Sequence, residues 1–185
     1  MNLDENIAAL SSARFQKINR DPTRCPRAIF LIGAPASGKS TWTTNYLAQA
    51  NQANRLTIVL STDDLIEDYA REHNISYSEA FDQLDMKTLE NTVRESLKYA
   101  IRNNQDVIVD RTNMRVRSRN RWLSQVPSHY VRVGIRFEVD SDTLHDRLRH
   151  RAETTGKFVP HHIVDDMLSS HQPPTFDEFD IIEAI

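Results

Sequence analysis

The stretch RAIFLIGAPASGKST at residues 27–41 constrains this chain more than any other. It begins as an unbroken apolar run of the kind that forms a strand buried on both faces. The run stops at a glycine, and the residues that follow spell G-x-x-x-x-G-K-[ST]: Gly33, Ala34, Pro35, Ala36, Ser37, Gly38, Lys39 and Ser40, with Thr41 next. A helix is predicted from about Lys39 to Ala50, and the pattern carries a mechanism only in this strand-to-helix setting. Its glycines let backbone N–H groups turn inward with no side chain in the way, and the helix presents its positive end to the same point. A row of phosphates fits such a cradle, with Lys39 as a cation for the outer phosphates and Ser40 as a hydroxyl ligand for Mg²⁺.

Downstream the pattern alternates. Strands are predicted at 55–61, 106–110 and 130–139 and in the closing DIIEA. Helices are predicted from Asp64 to about His73, Ser78 to Asn103, Arg115 to Gln125, Ser141 to about Ala152 and Pro160 to about Ser169. Strands regularly separated by helices give a three-layer α/β fold with right-handed crossovers and a mainly parallel, five-stranded sheet. In such a sheet ligands sit beyond the carboxyl ends of the strands, so Ser61–Asp64 and Asp110–Asn113 should both lie beside the glycine-rich loop. At 185 residues and 39% apolar composition, one core and one domain over residues 1–185 are expected. Residues 1–26 would be a helical extension, since Leu3, Ile7, Leu10 and Ile18 recur at helical spacing, and 147–160 would be a lid.

The net charge of −3 hides two opposed regions. From 61 to 95 there are ten acids against three bases, whereas 111–151 holds ten arginines against four acids. The second region suggests a local positive field suited to a polyanion, although solvated helix faces pairing with one another would look the same. Cys25 is the single cysteine, which points to a reducing compartment. With acidic residues where a signal peptide needs basic ones, and no apolar run near the roughly 18 residues of a membrane span, a cytoplasmic protein without membrane partners is expected.

Other residues carry chemistry. Asp63 follows the second strand, where a carboxylate can orient an acceptor hydroxyl in line with a terminal phosphate and take its proton; Asp64 would cap the next helix or support Asp63. Asp110 ends the buried run Val107–Val109, the position of a carboxylate that holds Mg²⁺ through water, and Arg111, Thr112 and Asn113 are polar groups expected to face the same crevice. Arg147 and Arg151 share a helix face and could close over a triphosphate as a cationic lid, with Arg149 turned away. His161 and His162 lack further ligands at metal spacing.

Taken together, GAPASGKSTW, STDD, VDRTN, R-x-x-x-R before Gly-Lys-x-Val-Pro, and the tail PPTFDEFDII resemble the kinase domain of phage-type polynucleotide 5′-kinases over about residues 28–180. The resemblance implies an adenylate-kinase-like strand order, ATP and Mg²⁺ as cofactors, Lys39 and Ser40 as triphosphate and metal ligands, Asp63 as general base, and Arg147 with Arg151 as lid arginines. It implies a nucleic acid as acceptor, first through a 5′-hydroxyl. Two features depart from it. Ile66 stands where those kinases place an arginine for the substrate phosphate, and the 64–95 stretch is acidic. Alternative acceptors are a hydroxymethylated pyrimidine such as 5-hydroxymethyluracil in DNA, with Tyr69, Tyr77 and Phe81 as candidate stacking residues, or a small metabolite or nucleoside.

Overall fold

The structure is a computed structural model and describes Leu3 and residues 22–185. The helix expected over residues 3–18 falls, apart from Leu3, outside the described residues.

Strands β1 (Arg27–Ile32), β2 (Thr57–Leu60), β3 (Asp106–Val109), β4 (Val131–Arg136) and β5 (Ile181–Ala184) form one sheet in the order β2-β3-β1-β4-β5, and every neighbouring pair is parallel. β1 sits in the centre and is buried along its whole length, which explains why every residue after Arg27 is apolar. Its side chains alternate between faces. Ala28, Phe30 and Ile32 pack with Val93 and Leu97 of α4 (Met86–Arg102) and Trp122 of α5 (Val116–Leu123), whereas Ile29 and Leu31 pack with Tyr46 and Ala50 of α1 (Lys39–Gln52). Two cores, one on each side of the sheet, make the expected three layers.

The connections supply the walls of a cleft at the carboxyl ends of the strands. From β2 the chain enters α2 (Thr62–His73) and α3 (Tyr77–Gln83). From β4 it enters α6 (Ser141–Thr155), then α7 (His161–Ser169). The single helix expected over 78–103 is two helices. Leu84 is extended, and the Asp85 carboxylate accepts from the N–H groups of Lys87 and Thr88 at 3.2 and 3.0 Å, starting α4 afresh. α6 runs to Thr155, past the expected end near Ala152, so only 156–160 of the expected lid is irregular.

Several helix ends and turns use asparagine. Asn54, Asn74, Asn104 and Asn113 all have positive φ, between 48° and 53°, in a chain with four glycines.

The arginine-rich half is largely consumed inside the fold. Arg119 is fully buried and forms a two-pronged pair with Glu178, both contacts at 2.8 Å, while also donating to the carbonyls of Asn113 and Gln172. Arg111 and Arg121 pair with Glu90, Arg136 with Glu138 and Arg149 with Asp146; Arg115 donates to Ser170. The positive field expected from 111–151 is thus reduced by Glu90 and Glu178 from outside that stretch and by Glu138 and Asp146 within it. No helix among the described residues is long and apolar enough to cross a membrane.

Candidate active site

The glycine-rich loop leaves β1 and wraps the start of α1. Its entry is pinned by the Gly33 N–H, which donates to the Thr112 carbonyl at 2.9 Å and ties the loop to the turn after β3. A Cβ at position 33 would lie 2.6 Å from Ser37 Oγ and 2.9 Å from Phe137 Cβ, so only glycine lets the loop fold this closely. Gly38 caps α1 with φ 104°, a left-handed conformation, and the space where its Cβ would stand is open. The backbone of the loop and the positive end of α1 therefore face the cleft without obstruction.

Lys39 folds back over this loop, its Nζ donating to the carbonyls of Gly33 and Ala34 at 3.0 and 2.7 Å. Burial lowers its pKa to about 8, with Asp110 opposing the shift and Arg151 adding to it. Asp110 lies just beyond β3, and burial raises its carboxyl to about 6 despite the attraction of Lys39. Each group is thus held where gaining a partner of opposite charge would be favourable.

On the opposite wall, α2 begins at Thr62 and its N-cap is Ser61, whose Oγ accepts from the Asp64 N–H at 3.1 Å. The capping role considered for Asp64 thus belongs to Ser61. Asp64 sits in the first turn with its pKa raised by burial. Asp63 is half exposed, and both its oxygens have partners: the Tyr77 hydroxyl donates to Oδ1 at 3.1 Å, and Lys157 Nζ lies 3.7 Å from Oδ2. Lys157 comes from the connection between α6 and α7, is buried, pairs also with Glu67, and stands 4.2 Å above the Tyr77 ring. Burial, with the Asp63 charge second, pushes the Tyr77 hydroxyl far above its usual range, so it remains a donor.

One cleft of about 610 Å³ brings together Pro35, Ala36, Gly38, Lys39, Ser40 and Thr41 from the loop, Asp63 and Asp64 from α2, Asp110, Arg111 and Thr112 after β3, and Arg151 from α6. Glu67, Lys157, Ser61 and Thr62 complete its walls. A smaller pocket of about 260 Å³ adjoins it, lined by Glu67, Ala70, Tyr77, Arg151, Thr155 and Lys157. Ala34 and Ser37 face a different cavity, of about 370 Å³, with mainly apolar walls and three buried polar atoms without partners: Ser37 Oγ, Arg136 Nε and His171 Nε2. That composition suits a flat heterocycle.

Two further expected site residues stand outside the cleft, and a third turns its charge away from it. Asn113 is buried, its Nδ2 donating to the carbonyls of Leu31 and Val109 at 2.8 and 3.1 Å, so it fastens β1 to β3 and does not face the crevice. Arg111 borders the cleft, but its guanidinium turns to Glu90 at 2.7 Å and lies over Trp122. Arg147 parts from Arg151, being exposed, absent from the cleft lining and donating to the Ala36 carbonyl at 3.3 Å. Of the candidate stacking residues, Tyr69 is stacked on His73, whereas Tyr77 lines the smaller pocket. Lys157 and Glu67 were missed in the sequence. A Lys directly after a helix-ending Gly was the only signal for the first, and an acid one turn after Asp63 the only one for the second.

Residues 29–174 match a family model described as an AAA domain. The chain belongs to that family of P-loop kinases. It is accordingly a phosphotransferase with a hydroxyl group as acceptor. Solved structures share the fold of this P-loop kinase. A chain of the Pnkp1/Rnl/Hen1 RNA repair complex aligns at 23% identity with a TM-score of 0.60, over 79% of this kinase and 44% of that chain. A gluconokinase from Sinorhizobium meliloti 1021 aligns at 19% identity and a TM-score of 0.51, covering 88% of this kinase and 83% of its own length. A proposed kinase from Chloroflexus aurantiacus j-10-fl gives 16% identity and a TM-score of 0.61, with 86% and 84% covered. The kinase thus spans less than half of the RNA-repair chain, and at these identities the likeness is one of fold. No curated protein matches it significantly in sequence.

Proposed function

We propose that this P-loop kinase phosphorylates a hydroxyl carried by a nucleic acid, and that the acceptor is the hydroxymethyl group of a modified pyrimidine in DNA and not a 5′-end. The observation that carries this choice is the pocket of about 260 Å³ beside Asp63, walled by Tyr77, Ala70 and the Lys157 side chain. Its size suits one base, with an aromatic wall against which a ring can rest. The 5′-end is disfavoured by Ile66, which is buried with Ala70, Ala80 and Leu89 and so puts an apolar side chain where an arginine would hold the substrate's phosphate. Taking a single base into the pocket also keeps the charged backbone away from the acidic 63–95 surface.

The residues present fit ATP with Mg²⁺: the open N-terminus of α1, the Lys39 ammonium, the exposed Ser40 hydroxyl and the partly buried Asp110 carboxylate are the donor set those groups need. When bound, ATP with its metal would supply the phosphoryl group and a divalent cation to offset charge on the phosphates. Lys39 and the loop amides would hold the phosphates, and Ser40 and Asp110 the metal. Asp63 would accept the proton of the acceptor hydroxyl as its oxygen bonds to phosphorus and the bond to the β-phosphate oxygen breaks. Arg151, facing the same cleft, would offset charge on the transferred group.

A second reading, a small hydroxylated metabolite, is favoured by the small volume of the same pocket and by the internal pairing of the arginines. The test is transfer from γ-labelled ATP to duplex DNA containing hydroxymethyluracil with blocked ends, to 5′-hydroxyl oligonucleotides, and to a pool of nucleosides and metabolites. Label on the modified base is the expected result. Label confined to the oligonucleotide ends or to the small-molecule pool would overturn the choice.

A further inference from the structure

We propose that Lys157 is a positioning residue for phosphoryl transfer. Carried in the connection between α6 and α7, it inserts between Glu67 and Asp63 above the Tyr77 ring, so that closure of this segment and orientation of the Asp63 carboxylate are one event. The inference rests on Asp63 being the acceptor-side base.

Asp63 stands on the first turn of α2 with its side chain 58% exposed, and a carboxylate so placed would ordinarily sample several rotamers. Here Tyr77 holds Oδ1 and Lys157 lies beside Oδ2. Tyr77 comes from α3, so it can fix only one oxygen, from one side. Lys157 approaches from a segment ninety residues away in sequence from its anchor, Glu67. That anchor makes the arrangement specific: the ammonium is buried, and a buried cation must be paired. Glu67, one helical turn after Asp63, provides the pair, and the Tyr77 ring provides an electron-rich face beneath it. Withdrawing residues 156–159 would strip the cation of both partners and release Asp63 together with it.

Lys157 also borders both cavities, the cleft that includes the phosphate loop and the smaller pocket by Tyr77. With Glu67 and Arg151, which line both as well, it stands between the two reacting partners' sites. A segment so placed excludes water from the transferred group only while its lysine is engaged, which couples productive transfer to suppression of ATP hydrolysis.

Three variants of the full chain test this: Lys157→Met, Glu67→Gln, and the exchanged pair Lys157→Glu with Glu67→Lys. Lys157→Met should lower kcat for the labelled acceptor by about 10- to 100-fold, the loss expected when a reacting group is misplaced. Its KM for ATP should stay within about twofold and its ratio of hydrolysis to transfer should rise. In Glu67→Gln, amide hydrogen exchange at 156–159 should quicken by about tenfold or more, because local opening no longer breaks a charged pair. The exchanged pair should recover the exchange protection but not kcat, since it places an anion beside Asp63. Wild-type kcat in Lys157→Met, or unchanged exchange in Glu67→Gln, would overturn the proposal. The exchange measurement needs no acceptor, so it stands even if no nucleic acid is labelled.

Discussion

Replacing Asp110 by asparagine should stabilise the metal-free protein at alkaline pH while abolishing its activity. Burial raises the Asp110 carboxyl from its ordinary 3.8 to about 6, net of the attraction from Lys39. The folded state therefore binds a proton more tightly than the unfolded chain, and stability falls as pH rises from about 4 through about 6. A shift of roughly two units at about 1.4 kcal/mol each sets a ceiling of about 3 kcal/mol on the penalty for the ionised group. Because the group borders an open cleft, about 1–2 kcal/mol is the more realistic size, equivalent to roughly 2–8 °C in Tm for a domain of this length. A neutral carboxamide in its place would carry no such penalty. Urea titrations of both proteins with chelator present, at pH 4.5, 6 and 8, should show a stability gap that opens with pH in favour of Asp110→Asn. A gap that is constant with pH, or that favours the wild type at pH 8, would refute the assignment of strain to this carboxylate. The same variant should lose Mg²⁺-dependent transfer by orders of magnitude.

Other outcomes follow from the site and its supports. Asp63→Ala should lower transfer by about 10²- to 10⁴-fold with ATP affinity little changed, as seen by titration calorimetry and single-turnover rates; unaltered transfer would remove Asp63 from the role of base. Arg119→Met should cost about 3–5 kcal/mol in chemical denaturation, since it leaves the Glu178 carboxylate and three carbonyls without their buried partner. Because the arginines of 111–151 are mostly paired internally, binding of modified DNA should weaken only gently with salt, with a log–log slope shallower than about −3. A slope steeper than about −6 would reveal a phosphate track that the fold does not suggest.

What the sequence made legible was what repeats by rule. β1 and its loop are readable because a parallel central strand must be apolar throughout and a phosphate cradle must be glycine-punctuated. The strand-then-helix rhythm did the same for the sheet, and the ends of β2 and β3 placed Asp63 and Asp110 by topology alone. Partners brought in from distant segments could not be read. Asn113 looked like a cleft residue because it follows Asp110, yet its left-handed φ of 48° turns its amide onto the backbone of β1. The arginine-rich half looked like a surface for polyanions because Glu90 and Glu178 lie outside it in sequence. Lys157 was unremarked for the same reason, since its two carboxylates are ninety or more residues away. The break at Leu84 went unseen because apolar spacing continues across it, and only the Asp85 cap marks the restart of α4.

The asparagines at positive φ bear on a state of the chain that the fold never displays. Asn54, Asn74, Asn104 and Asn113 stand at conformations that glycine would occupy without strain, at about 1 kcal/mol or so each. A glycine at each would make the denatured ensemble broader and raise the entropy lost on folding by a similar amount. The two effects nearly cancel, so Asn→Gly changes at the exposed sites 54, 74 and 104 should be close to silent in stability, whereas Asn→Ala should not. A protein that halts its helices this way carries part of its resistance to heat in the narrowness of its unfolded state.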